Sequence, residues 1–144
     1  MYVHSGRELE ASIDPLESPS HFQSAPVLWT GDPKDLALRI AEILADTPAS
    51  DTLVLDIHEI SSVADYFIIC SADNERQLRA ISTQLQEKLE EQNAHPHRTE
   101  GTPQSGWMVL DYGDSIVHVF DVDQRAFYRL ELLWAEAQTL VAME

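Results

Sequence analysis

Asp111 and His118 become diagonal neighbours if residues 107–112 and 115–121 pair as two strands joined by a two-residue turn. A carboxylate beside an imidazole is the orienting half of a hydrolytic triad, but a triad also needs a nucleophile on a strained elbow, and no Gly-x-Ser-x-Gly is present. A structural cross-strand hydrogen bond is the commoner use of such a pair. Asp121-Val122-Asp123 has the spacing of two carboxylates that could hold Mg²⁺ at a strand end. Helix caps and strand ends place aspartates in the same way, and no glycine-rich phosphate cradle accompanies these two. His95-Pro96-His97 has the outline of a metal-binding pair, yet it carries a proline between its members and lacks an obvious third ligand. No metal and no cofactor are therefore assigned. Cys70 lies in the apolar run Tyr66-Phe67-Ile68-Ile69-Cys70, the setting of an inert buried thiol rather than a nucleophile. Catalysis thus gives way to binding. Trp107, Asp111 and His118, on the less apolar side of the hairpin, have the composition of an interface anchor with polar neighbours. The competing possibility is a helix that covers this side and makes Trp107 plain core.

The elements that would position these residues follow from periodicity. Asp32-Pro33 reads as an N-cap and first helical residue, after which Leu36, Ile40, Ile43 and Leu44 share one helical face up to Pro48. Thr52–Ile57 and Tyr66–Cys70 are short apolar runs of the strand type, separated by the loop Ser61-Ser62-Val63-Ala64-Asp65. Leu78, Ile81, Leu85 and Leu89 define a long amphipathic helix from Asp73 to about Gln92, with Glu87, Glu90 and Glu91 on its solvated face. That stripe is too short for a coiled coil and needs a sheet to lie on. A short strand is expected around His97–Glu100, then turn residues from Gly101 to Gly106. In the hairpin, Leu110 and Val117, Met108 and Val119, and Tyr112 and Ser115 face the core; Trp107, Val109, Asp111, Ile116, His118 and Phe120 point the other way. Asp123 is expected to cap a final helix with the stripe Phe127, Leu130, Leu133, Trp134, Ala137 and Val141. The resulting order predicts an α/β (α+β) domain, a mixed sheet of about five strands flanked by helices.

Composition narrows the partners. Among 144 residues, 44% are hydrophobic and 24% charged, as in one ordinary globular domain. Nine Lys and Arg oppose 25 Asp and Glu, a net charge of -16, so DNA and anionic membranes are disfavoured and a basic protein is the expected partner. One cysteine excludes an internal disulfide and suits a reducing cytoplasm. No apolar stretch approaches a membrane span, and the N-terminus has no secretory or transit pattern. Residues 1–31, with Pro15, Pro19 and Pro26 among Ser and acidic residues, read as a flexible extension of a domain spanning 32–142, from which Leu28 and Trp29 could dock back.

Several linked motifs then carry a resemblance: Asp65-Tyr66-Phe67-Ile68-Ile69-Cys70-Ser71; Arg76-Gln77 and Ala80-Ile81; Glu100-Gly101; Gly106-Trp107 through Asp111-Tyr112-Gly113-Asp114; Val117-His118-Val119-Phe120; and Arg125-x-x-Tyr128-x-Leu130-Glu131-x-Leu133-Trp134. From about Pro33 to Trp134 the chain resembles the ribosomal silencing factors, the RsfS or Iojap family. Ala72 departs from the family's usual glycine after Cys-Ser, and the N-terminal extension lies outside the family domain. The resemblance implies a fold related to nucleotidyltransferases without their catalytic motif, a homodimer, and a non-enzymatic role. That role is binding the large ribosomal subunit through its universal protein numbered fourteen, obstructing small-subunit joining and repressing translation when nutrients are scarce. Matched position by position, it implies Trp107 as apolar anchor, Asp111 and Asp114 as acceptors for Lys or Arg, and Tyr112 beside the turn. His118, Asp65, Tyr66 and Glu100 match the motif as further contact or surface-shaping residues. The alternatives are a Mg-dependent nucleotidyltransferase-like enzyme using Asp121 and Asp123, and a dimeric scaffold for another basic protein.

Overall fold

The computed structural model describes Trp29, residues 31–133 and residues 135–144. Most of the expected extension, Leu28 included, and Trp134 of the last motif lie outside the described residues. Trp29 packs half-buried against the core, as a large apolar side chain left beside a domain should.

Helix α1 (Pro33–Ala45) begins where Asp32 caps it, its carboxylate accepting the Lys34 N–H at 3.1 Å ahead of Pro33 in the first turn. Leu36, Ile40, Ile43 and Leu44 are all buried, with Ala37 and Ala41 between them. Strands β1 (Ser50–Asp56) and β2 (Tyr66–Ala72) follow. Asn74 caps α2 (Glu75–Glu90) by accepting the Gln77 N–H at 2.8 Å, and the stripe Leu78, Ile81, Leu85 and Leu89 is fully enclosed. Each such side chain contributes about 1.5–3 kcal/mol by leaving water, which holds the helix on the sheet. Strand β3 (Arg98–Thr102), one 3-10 turn, β4 (Trp107–Asp111) and β5 (Ser115–Asp121) complete the expected hairpin region.

The sheet runs β3-β4-β5-β2-β1-β6, with β2 and β5 parallel and every other pair antiparallel. The hairpin register is the expected one, Leu110 opposite Val117 and Met108 opposite Val119. Both helices cover one face, burying Val54, Ile68, Cys70, Leu110, Val117 and Val119.

The end of the chain differs from the expectation in two ways. Asp121, not Asp123, is the cap: its carboxylate accepts the Gln124 N–H at 2.7 Å, opening α3 (Val122–Tyr128). The single long helix does not form. Arg129 adopts a left-handed conformation (φ 47°), a one-turn α4 (Leu130–Leu133) follows, and Gln138–Met143 forms β6 on the outer side of β1. The spacing of Phe127, Leu130, Leu133, Trp134, Ala137 and Val141 fits a helix, but pairing with β1 satisfies a whole row of backbone groups that a helix would leave open. The sheet therefore has six strands, with β3 and β6 as its edges.

Candidate partner-binding face

Neither long helix covers the second face of the sheet. Three transverse rows run across it: Thr102, Trp107, Phe120 and Ser71; Glu100, Val109, His118, Ile69 and Leu53; and Arg98, Asp111, Ile116, Phe67 and Leu55. The β1–β2–β5 part is closed by its own apolar side chains, with Leu130 and Ala137 packed against them. Toward β4 the cover thins. Trp107 is half-buried, stacked on buried Phe120 with ring centroids 4.8 Å apart, and the Tyr128 ring lies tilted beside it at 4.6 Å, 6.3 Å from Phe120. Phe127 meets Tyr128 edge to face at 4.9 Å. A ladder of four aromatic rings thus climbs from the interior to solvent, where Tyr128 is 45% and Phe127 75% exposed. Val122 and Leu132 are further exposed apolar residues of the same arm. The helical spacing of Phe127 with Leu130 and Ala137 reads as a buried stripe, but the helix is too short, and turns too early, to bury Phe127.

Arg125 holds this arm against the sheet. Its largely buried guanidinium donates to Ser71 Oγ at 2.9 Å, to the Asp51 carbonyl at 2.5 Å, and through Nε to Glu131 at 3.4 Å. One side chain therefore ties α3 to β1, β2 and α4.

The expected Asp111–His118 bond is replaced by another. His118 accepts at Nδ1 from the Trp107 indole N–H at 3.2 Å, while Asp111 accepts the Gly113 N–H at 2.8 Å and shapes the turn. The register makes both Trp107 and Asp111 diagonal to His118, and only the indole reaches. His118 is 7% exposed, its ring 4.7 Å from that of Phe67, and burial pulls its pKa down to about 4. It is a neutral imidazole at physiological pH. Asp111 is only 2% exposed, so it is not placed to meet a partner's cation directly.

The other candidates divide between two places. Glu100 stands exposed on β3 beside Val109 of the open face, ion-paired with Arg98. Asp65 and Asp114 mark one end of the sheet, where the Asp114 carbonyl accepts the N–H groups of both Asp65 and Tyr66 at 2.9 Å. Burial, and then the Asp65 charge, push the Asp114 carboxyl above its ordinary range. Nearby, the Asp56 carboxylate binds His58 Nδ1 at 2.5 Å, and that hydrogen bond holds the His58 pKa above the usual value. Tyr66 and Tyr112 belong to the helix-side core; Tyr112 is 6% exposed, and burial raises its hydroxyl pKa. Neither offers its ring to a partner.

For the chemical alternatives, Asp121 is occupied as a cap and also takes the Gly106 carbonyl on its own N–H at 2.8 Å, while Asp123 is exposed in the first turn. Among the described residues no group of three or more His, Cys, Asp or Glu side chains is gathered to hold a metal ion. Cys70 is buried and its thiol pushed up to about 12. No helix among the described residues is long and apolar enough to cross a membrane.

Known proteins share this sequence and fold. Residues 30–144 match the sequence profile described as "Ribosomal silencing factor during starvation". The chain is 41% identical over 95 residues to the ribosomal silencing factor RsfS of Halalkalibacterium halodurans, covering 66% of this chain and 81% of that one. It is 40% identical over 101 residues to RsfS of Bacillus subtilis, covering 69% and 86%. A solved structure of a Chromobacterium violaceum protein superposes with a TM-score of 0.70 at 28% identity, covering 73% of this chain and 88% of that one.

Proposed function

The chain belongs to the family of ribosomal silencing factors, and from that premise we propose that it binds the large ribosomal subunit in the cytoplasm through its universal protein numbered fourteen. The bound protein sterically blocks the small subunit, with no catalytic step, and so represses translation under nutrient limitation. One observation carries the choice of surface: the ladder Phe120, Trp107, Tyr128 and Phe127 on the side away from the two long helices, half-buried at Trp107 and open at its end. An aromatic anchor backed by rigid strands is what a binding hot spot requires. Exposed Glu100, with Asp65 and Asp114 at the sheet's end, supplies carboxylates for the rim, and the net charge of -16 favours encounter with a basic ribosomal protein over ribosomal RNA. The homodimer expected for the family belongs to the same proposal, and light scattering of purified protein checks it.

The test is subunit rejoining. Large subunits preincubated with the protein are mixed with small subunits at permissive Mg²⁺ and resolved on a sucrose gradient. Loss of the intact-ribosome peak, with the protein migrating on the large subunit, is the expected result. Trp107→Ala should keep the fold and weaken large-subunit binding more than about tenfold, about 1.4 kcal/mol. Unchanged co-sedimentation of that variant would remove Trp107 from the interface, and an unchanged peak with no bound protein would remove the function.

A further inference from the structure

His118 is the residue of the open face whose presence the packing does not explain. Its ring is enclosed by Phe67, Phe120 and Trp107, and burial keeps it neutral. A neutral imidazole has one N–H. Because Nδ1 accepts from the Trp107 indole at 3.2 Å, the proton must sit on Nε2. Nε2 is buried and has no hydrogen-bond partner among the described residues. An orphaned N–H in an apolar cluster lowers stability, and phenylalanine would fill the same space without it. The histidine's one satisfied polar contact is the indole, so its use lies there.

Trp107 needs such a contact. Phe120 is stacked beneath its ring and Tyr128 lies tilted beside it, at 4.8 and 4.6 Å, and such ring contacts tolerate sliding and rocking of the indole. A hydrogen bond to the ring edge is directional. Its acceptor stands on β5, an interior strand paired with β4 on one side and β2 on the other, so the indole is referenced to backbone held from both sides. Side chains ordered before binding lose less entropy on association.

We infer, on the reading of Trp107 as the anchor, that His118 is a positioning residue: its Nδ1 fixes the indole in the orientation the ribosomal partner meets, without itself touching that partner. The histidine trades fold stability for a preset tryptophan. Removing the acceptor should leave the fold intact and reduce affinity by about three- to tenfold, the range expected from ordering one large side chain at the moment of binding.

The test uses the full chain, labelled at the indole nitrogens, with purified large ribosomal subunits as the probe. The Trp107 indole signal is identified among the three tryptophans by its loss in Trp107→Phe. In His118→Phe the signal should move upfield and its proton exchange at least about tenfold faster, while the melting temperature holds or rises and large-subunit affinity falls three- to tenfold. His118→Asn, whose side-chain oxygen can replace Nδ1 as acceptor, should restore both indole protection and affinity. In a Trp107→Phe background, which has no indole N–H, His118→Phe should change affinity no further. A merely structural histidine gives neither the rescue nor this silence. An unmoved indole signal in His118→Phe overturns the inference, as does unchanged affinity alongside a weakened Trp107→Ala. Loss of the folded state in His118→Phe overturns the claim that stability does not require the imidazole. If Trp107→Ala itself binds normally, the anchor reading fails first, and the positioning role falls with it.

Discussion

Acid should unlock this protein at one histidine. The His118 pKa is about 4 in the folded chain against 6.5 ordinarily, because burial disfavours the imidazolium. Between those two values the unfolded chain binds a proton that the folded chain refuses. The advantage of the neutral over the charged ring is therefore complete above about pH 6.5, declines as pH falls, and is lost below about 4. At about 1.4 kcal/mol for each tenfold difference in proton affinity, the span corresponds to about 3 kcal/mol. Protonation would also place a proton on Nδ1 and break the indole bond, so the loss is coupled to the aromatic ladder. The assay is urea unfolding of the natural chain and His118→Phe at half-unit intervals from pH 7.5 to 4, followed by circular dichroism. Carboxylates and the Asp56–His58 pair titrate in both proteins and cancel in the difference. The natural chain should lose about 3 kcal/mol relative to the variant across the interval, a relative midpoint shift of about 1–3 M urea. Parallel curves, within about 0.5 kcal/mol at every pH, would refute the buried neutral imidazole and the linkage built on it.

Three further outcomes follow from the packing. Arg125→Met should destabilise by about 2–4 kcal/mol, since it leaves Glu131 without its partner and frees α3 from Ser71 and Asp51; urea unfolding measures the loss, and amide exchange should rise first over residues 122–133. Gly101→Ala should lower stability by about 2 kcal/mol or more, because Gly101 has φ +85° and an added Cβ would stand 2.0 Å from the Trp107 carbonyl oxygen; urea unfolding measures it, and wild-type stability would show that β3 shifts freely. Cys70, its thiol raised to about 12 and fully enclosed, should react with a disulfide reagent at pH 8 only as fast as the protein unfolds; rapid labelling of the native chain would contradict the packing of β2.

What the sequence revealed of this site was its local part. Two-residue turn chemistry and alternation set the register of β4 and β5, so the division of Trp107, His118 and Phe120 from Met108, Leu110 and Val117 was readable residue by residue. Which diagonal neighbour His118 would choose was not, since Trp107 and Asp111 are equivalent in register and the choice depends on twist and side-chain reach. The family resemblance pointed to Tyr66 and Tyr112 as surface candidates, although Tyr112 stands on the side the register assigns to the core. The terminal helix failed for a nonlocal reason. Residues 127–141 carry a helical spacing, but the open edge of β1, about 85 residues earlier in the chain, decides that 138–143 is a strand. Arg129 in the left-handed region, where the helix actually stops, gives no sequence signal of the glycine or asparagine kind.

The two edges of the sheet present different surfaces to other copies of the chain. Strand β3 ends its side with Arg98, Glu100 and a glycine at positive φ, features that discourage another strand from docking. Strand β6, Gln-Thr-Leu-Val-Ala-Met, carries no charge at all along its length. At neutral pH the net charge of -16 repels neighbouring copies before that edge can be reached. Near the isoelectric point of about 4.5 the repulsion vanishes, at the acidity where His118 begins to charge. Colloidal loss in mild acid should therefore start as ordered strand-to-strand association at the β6 edge, and one lysine placed there would delay it.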